Sequence, residues 1–273
     1  MLFTKPFRSA LVLAGTLACL LLVEAQAQAP IQGRDLQNSP DARVQHRTYH
    51  FTDTNEELPY ALFVSSKVTA STPAPLIVNL HGLGVGAGFM LKGKLLDLAE
   101  DGGYVVGGPQ GYNVGGWYGT PIITRDNTPP TPANLSELSE KDVLNVLAMV
   151  RKEFNIDDKR TYLLGHSMGG AGTLHLGAKH AQNWAAIAAI APAAFRLEPA
   201  SLDAVKDTLP VMVVHGDADT LVPVDIGRRW AEYMQTNVKT QQYLEVKGAD
   251  HGSVIDQGMG DIFAWFAAHP KAE

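Results

Sequence analysis

The chain has 273 residues, 45% hydrophobic and 18% charged, a balance that excludes a disordered or fibrous protein. A formal net charge of −6 without any cluster of Lys and Arg argues against nucleic-acid binding. No period of 20 to 50 residues repeats, so a solenoid or propeller is excluded as well.

The first thirty residues stand apart from the rest. Lys5 and Arg8 give a positive start, Ala10 to Val23 is an apolar run, and Ala25-Gln26-Ala27 has the small-x-small pattern of a cleavage site. The run is shorter than the ~20 residues that a bilayer span needs, so residues 1–27 are expected to be a signal peptide rather than an anchor. Cleavage after Ala27 removes Lys5, Arg8 and Glu24, which moves the net charge from −6 to −7. It also removes Cys19, the one cysteine, so the mature chain uses neither disulfides nor thiolate chemistry. The expected location is secreted or periplasmic, with no stable membrane insertion. Residues 28–42, polar with Pro30, Gly33 and Pro40, read as a flexible leader, and 43–273 as a single domain.

Two β-rich runs follow, Val44 to Phe51 and Leu58 to Val64, and predict an antiparallel pair. From Leu76 the pattern changes to short, nearly continuous apolar runs: 76–80, 104–106, 162–164, 186–190, 211–214 and 243–246. Such runs suit strands buried on both faces of a parallel sheet. Helical segments are expected between them at 90–100, 139–154, 170–180, 225–237 and 256–268. The alternation predicts an α/β fold with a mostly parallel, doubly wound sheet, whose sites lie beyond the carboxyl ends of the strands.

The informative residues follow those runs. Gly165-His166-Ser167-Met168-Gly169 stands directly after the 162–164 run and before a helical stretch. This is a Gly-x-Ser-x-Gly turn in the strand–turn–helix setting that presents a serine hydroxyl as nucleophile. His166 is expected to pack or to make a supporting hydrogen bond. A serine needs a base, and imidazole is tuned for neutral pH. Chain order Ser, acid, His leaves His215, His251 and His269. His251 is chosen because Gly248-Ala249-Asp250-His251-Gly252 is a loop right after a strand, whereas His269 lies near the end of the chain. The acid belongs in His215-Gly216-Asp217-Ala218-Asp219-Thr220-Leu221-Val222-Pro223, where Asp217 and Asp219 compete. Asp219 is favoured because it lies far enough beyond the strand to curl back, while Asp217 is better placed to brace the turn. After the 76–80 run, His81-Gly82-Leu83-Gly84 is an early loop able to supply one oxyanion-hole amide. Leu83 and Met168 are assigned as the donors, with Gly82 and Gly84 as alternatives, and His81 as a brace for the loop.

These residues carry a resemblance. The stretch 155–173, with its Gly-His-Ser-Met-Gly-Gly turn, resembles the elbow region of bacterial secreted esterases of the α/β-hydrolase superfamily. Within it the chain resembles the feruloyl-esterase, polyhydroxybutyrate-depolymerase and phospholipase/carboxylesterase branch. The loop 215–223 is similar to that group's acid loop, in which the second aspartate is the acid. The likeness covers most of 76–266. It implies the α/β-hydrolase fold, a Ser167–His251–Asp219 triad and no metal or organic cofactor. One departure is the cysteine-free mature chain, because depolymerases and some feruloyl esterases brace the site with a disulfide.

The spacing of 21 residues between Ile190 and Val211 leaves no room for a large lid, so an open site is expected. Short-chain esters, aryl esters of the feruloyl kind, or the ends of polymers would suit it. The glycine-flanked Trp117 and Tyr118 are candidates to stack on such a substrate. The competing readings are a peptidase or acyltransferase with the same triad, and a non-catalytic binding protein on this fold.

Overall fold

A computed structural model describes residue 1 and residues 39–124 and 128–271. The expected signal peptide and most of the expected leader lie outside the described residues. Ser39 is buried and donates its hydroxyl to Leu91 O.

Eight strands form one sheet: β1 (Gln45–Phe51), β2 (Glu56–Val64), β3 (Ala74–Leu80), β4 (Val105–Pro109), β5 (Ile156–His166), β6 (Ala186–Ile190), β7 (Val211–Gly216) and β8 (Gln241–Val246). Among the described residues five α-helices accompany them, four between strands and one after β8: α1 (Gly93–Gly102), α2 (Leu135–Glu153), α3 (Met168–Lys179), α4 (Val224–Asn237) and α5 (Ser253–Ala268). The spatial order is β1-β2-β4-β3-β5-β6-β7-β8. β1 pairs antiparallel with β2, and β2 antiparallel with β4; every pairing from β4 through β3 to β8 is parallel. This is the predicted α/β sheet with its N-terminal antiparallel pair.

The period of two along each strand sends alternate side chains to opposite faces. In β3, Leu76, Val78 and Leu80 join the core under α2, α3 and α4, while Ile77 joins the core under α1 and α5. In β7, Val211 and Val213 face the first layer, and Met212 and Val214 the second. Covered on both sides, the residues of β3, β4, β6 and β7 are buried throughout, which is why they read as continuous apolar runs. β8 ends the sheet and is only partly buried.

Helix α2 has a buried face through Leu135, Leu138, Asp142, Val143, Val146, Leu147 and Val150, a 3.6-residue period with a carboxylate inside it. That side chain, Asp142, accepts hydrogen bonds from Tyr49 Oη (2.6 Å), Gly111 N (2.6 Å) and Tyr112 N (3.1 Å). Burial pushes its carboxyl up to about 6, against those three donors. It anchors the segment after β4, which reaches back to the loop after β3.

Candidate active site

The chain turns from β5 into α3 at Ser167, with φ 58° and ψ −116°. This is a sparsely populated conformation for a residue with a Cβ. Two glycines make the turn possible. A Cβ on Gly165 would stand 2.2 Å from Gly169 O, and one on Gly169 would stand 2.2 Å from Leu80 O. The turn is pinned from β6 as well, by Ser167 N donating to Ile190 O (2.9 Å) and Ala193 N donating to Ser167 O (2.9 Å). α3 begins directly after Ser167, so its N-terminal amides and dipole point at the serine.

The loop after β3 lies against this turn. A Cβ on Gly82 would be 3.4 Å from Ser167 Cβ. The loop is braced as expected of His81, whose Nε2 is 2.8 Å from Gln110 O and whose Nδ1 is 2.8 Å from Gly82 O. The alternative donor Gly84 N–H is taken by Val114 O at 2.8 Å. Among the described residues the Leu83 and Met168 amides take no intrachain partner, so both remain available to an oxyanion.

Asp219 and His251 meet from the loops after β7 and β8. His251 Nδ1 is 2.6 Å from Asp219 Oδ2. Asp219 Oδ1 accepts Leu221 N (2.8 Å) and Val222 N (2.9 Å), so its carboxylate is held at both oxygens. Asp217 instead accepts Gly248 N at 2.5 Å, joining the acid loop to the base loop as a turn brace. His215 is wholly buried, 2.9 Å from Val222 O through Nε2 and 3.4 Å from Asp219 Oδ2. His269 stands away on α5's end, bonded to Trp265 O. The structure thus places Ser167, Asp219, His251, Leu83 and Met168 at the carboxyl ends of β3, β5, β7 and β8, on one edge of the sheet.

Trp117 and Tyr118 require a correction. Neither presents a ring for stacking: Tyr118 is wholly buried and Trp117 is 4% exposed, both within the core under α2 and α3. The chain reverses there through residues with positive φ, 59° at Trp117 and 48° at Tyr118, which turns both rings inward. Tyr118 Oη reaches His81 O at 3.3 Å, so it supports the loop after β3 from below. The large apolar side chains exposed at strand ends are others: Leu83, Phe195 and Leu221, following β3, β6 and β7. Asp142 and Gln110 also escaped the motif search. The only trace of Asp142 was a charge on the apolar stripe of α2.

Burial holds the histidines behind the site neutral. His166 is pushed down to about 3 by burial and then by the neighbouring His251, and burial lowers His215 and His81 as well. The unfolded chain therefore takes up protons first as pH falls below His166's ordinary 6.5. Stability present above that pH is lost through the window from 6.5 toward 3 at ~1.4 kcal/mol per pH unit for His166, and His215 and His81 act in the same direction. Asp142, raised from its ordinary 3.8, acts in the opposite sense as pH falls from about 6 toward that value. With three histidines against one carboxyl, the urea midpoint is expected to drop between pH 7 and pH 4.5. His166→Gln should flatten that drop.

Comparison with known proteins agrees with this geometry. A bifunctional acetylxylan esterase/xylanase from Neocallimastix patriciarum is 32% identical over 155 residues, covering 55% of this chain and 20% of that protein. A cutinase from Thermobifida cellulosilytica is 32% identical over 96 residues, covering 35% of this chain and 34% of the cutinase. The chain therefore spans only 20% and 34% of the length of these two relatives. Among solved structures, a thermostable esterase superposes with TM-score 0.65 at 26% identity, covering 84% of this chain and 64% of that one. A ferulic acid esterase from Anaeromyces mucronatus shares the fold, with TM-score 0.66 at 18% identity over 86% of this chain and 96% of its own. Residues 111–269 match the phospholipase/carboxylesterase family model. With more than half its length inside that model, the chain belongs to the phospholipase/carboxylesterase family of α/β hydrolases.

Proposed function

We propose that the chain is an exported serine carboxylic-ester hydrolase acting through an acyl-enzyme on short-chain or aryl esters. The observation that carries this is the 2.6 Å contact of His251 Nδ1 with a doubly anchored Asp219, beside a strained serine turn. Asp219 fixes the tautomer, so His251 Nε2 carries the lone pair that takes the Ser167 proton as Oγ attacks the ester carbonyl. The carbonyl oxygen becomes an oxyanion held by the Leu83 and Met168 amides, each worth ~2.7–4 kcal/mol there. His251 then protonates the leaving alcohol, and water repeats the sequence on the acyl-enzyme. Among the described residues Ser167 Oγ has no hydrogen bond, and the proposed reaction requires His251 Nε2 to come within hydrogen-bond reach of it when substrate is bound. The chemistry calls for no metal or cofactor.

The exposed Leu83, Phe195 and Leu221 favour substrates with an apolar or aryl group over charged ones. The expected N-terminal signal peptide supports export, and relatives named as acetylxylan esterase and cutinase support a polymer-linked ester.

The test is hydrolysis of p-nitrophenyl esters from acetate to decanoate, and of methyl ferulate, by the protein and by Ser167→Ala. Activity that disappears in the variant supports the reading; none above the variant on any ester would sink it and turn attention to peptides. Leu221→Ser and Phe195→Ser should lower kcat/KM on ferulate by ~10-fold or more and barely change that on acetate, since one apolar contact is worth ~1–3 kcal/mol.

A further inference from the structure

We propose that His166 is a positioning residue: its Nε2–H holds the His251 loop against the nucleophile turn and so fixes where the base stands. This rests on the ester-hydrolase reading above. His166 is the residue before Ser167 and the last of β5, paired in the parallel ladder with Ile190, so its ring hangs from a strand in the middle of the sheet. Its Nε2 lies 2.8 Å from His251 O. Its ring stands over the His251 ring, centroids 4.5 Å apart and planes inclined at 48°. On the other side it meets Gly82, where a Cβ would be 3.4 Å from His166 Nδ1. One buried imidazole therefore touches the oxyanion loop and the base while standing next to the nucleophile.

The tautomer follows from the partners. A carbonyl oxygen only accepts, so the ring proton is on Nε2. Nδ1 is buried without a hydrogen-bond partner, as a bare lone pair should be when the single proton sits on the other nitrogen. Burial keeps the ring neutral at working pH, so it adds no repulsion when His251 becomes an imidazolium.

The need for such a link lies in the sheet. His251 follows β8, the edge strand, two strands beyond β6 and three from the strand that carries the nucleophile. Besides local bonds to the start of α5, the loop is tied to the acid loop by Gly248 N to Asp217 Oδ1 (2.5 Å), Ala218 N to Ala249 O (3.1 Å) and His251 Nδ1 with Asp219 Oδ2 (2.6 Å). The His166–His251 bond ties the base loop directly to the nucleophile strand. Asp219 fixes the imidazole at Nδ1, and His166 fixes the same residue at its carbonyl and ring face.

Two variants separate a positioning role from simple filling of space. His166→Phe keeps a ring and removes the N–H; His166→Gln keeps an N–H donor at a similar reach and removes the ring. Displacing a reacting group by ~1 Å costs ~10²-fold. The expected result for H166F is therefore a loss in kcat of about that size on p-nitrophenyl butyrate, with KM within about twofold. H166Q should recover most of the loss. The downfield proton resonance of His251 Nδ1–H should be sharp in the unmodified protein and in H166Q, and broadened in H166F. An H166F protein with undiminished kcat would overturn the proposal, as would H166Q and H166F equally impaired with the resonance unchanged in both. If H166F does not fold, H166Q decides through the same two readouts. A protein that hydrolyses no ester removes the functional reading instead, while the resonance still reports whether His166 fixes His251.

Discussion

Ser167→Gly is expected to abolish ester hydrolysis and at the same time make the protein more stable. The loss of activity should be on the order of 10⁶-fold in kcat, the scale seen when a triad nucleophile is removed. The gain comes from the backbone. Ser167 holds φ 58° and ψ −116°, a conformation that costs a Cβ-bearing residue ~1–3 kcal/mol and glycine almost nothing. Glycine gives back ~0.5–1 kcal/mol through the freer unfolded chain, so a net rise of ~1 kcal/mol in unfolding free energy remains. Ser167→Ala is the control, equally inactive but as strained as the native residue. Urea titration of the three proteins measures the difference. A glycine variant no more stable than the alanine one would mean that the turn stores no strain.

Asp219→Asn should lower kcat by ~10⁴-fold, whereas Asp217→Asn should cost less than ~10-fold. The carboxylate of Asp219 cannot rotate freely, because Oδ1 accepts the Leu221 and Val222 amides while Oδ2 faces His251 Nδ1. An asparagine at this position keeps its oxygen toward the two amides, which only donate, and so points its NH2 at the imidazole. His251 must then accept at Nδ1 and carry its proton on Nε2, leaving no lone pair for the serine. Asp217 makes a bond to Gly248 N that an asparagine oxygen reproduces. Equal losses in both variants would reverse the assignment of the acid.

How much of this was legible beforehand depended on whether a residue's place is set by a local rule. The sheet could be read because strands covered on both faces must be apolar throughout, as β3, β6 and β7 are. The meeting of Asp219 with His251 could be read because loops after strand carboxyl ends converge on one edge. Even the different partners of Asp217 and Asp219, Gly248 N and His251 Nδ1, followed from their distance beyond β7. Trp117 and Tyr118 were misread because the direction of a side chain in an irregular segment depends on individual dihedrals, here two successive positive φ angles. Sequence gives no rule for those unless glycine marks the spot. Asp142 was overlooked because its partners, Tyr49, Gly111 and Tyr112, are distant in sequence. The contact between His166 and His251 spans 85 residues and exists only once β5 and the end of β8 are in one sheet.

β8 is the final strand of the sheet in both space and sequence, and it is the least covered of the parallel set. The serine turn is held by β3, β5 and β6 in the middle of the sheet, whereas His251 hangs from the edge strand. If Ser167 and His251 act as proposed, a chain whose β8 edge has come away keeps its serine turn and loses its base, so activity is expected to depend on the docking of one edge strand.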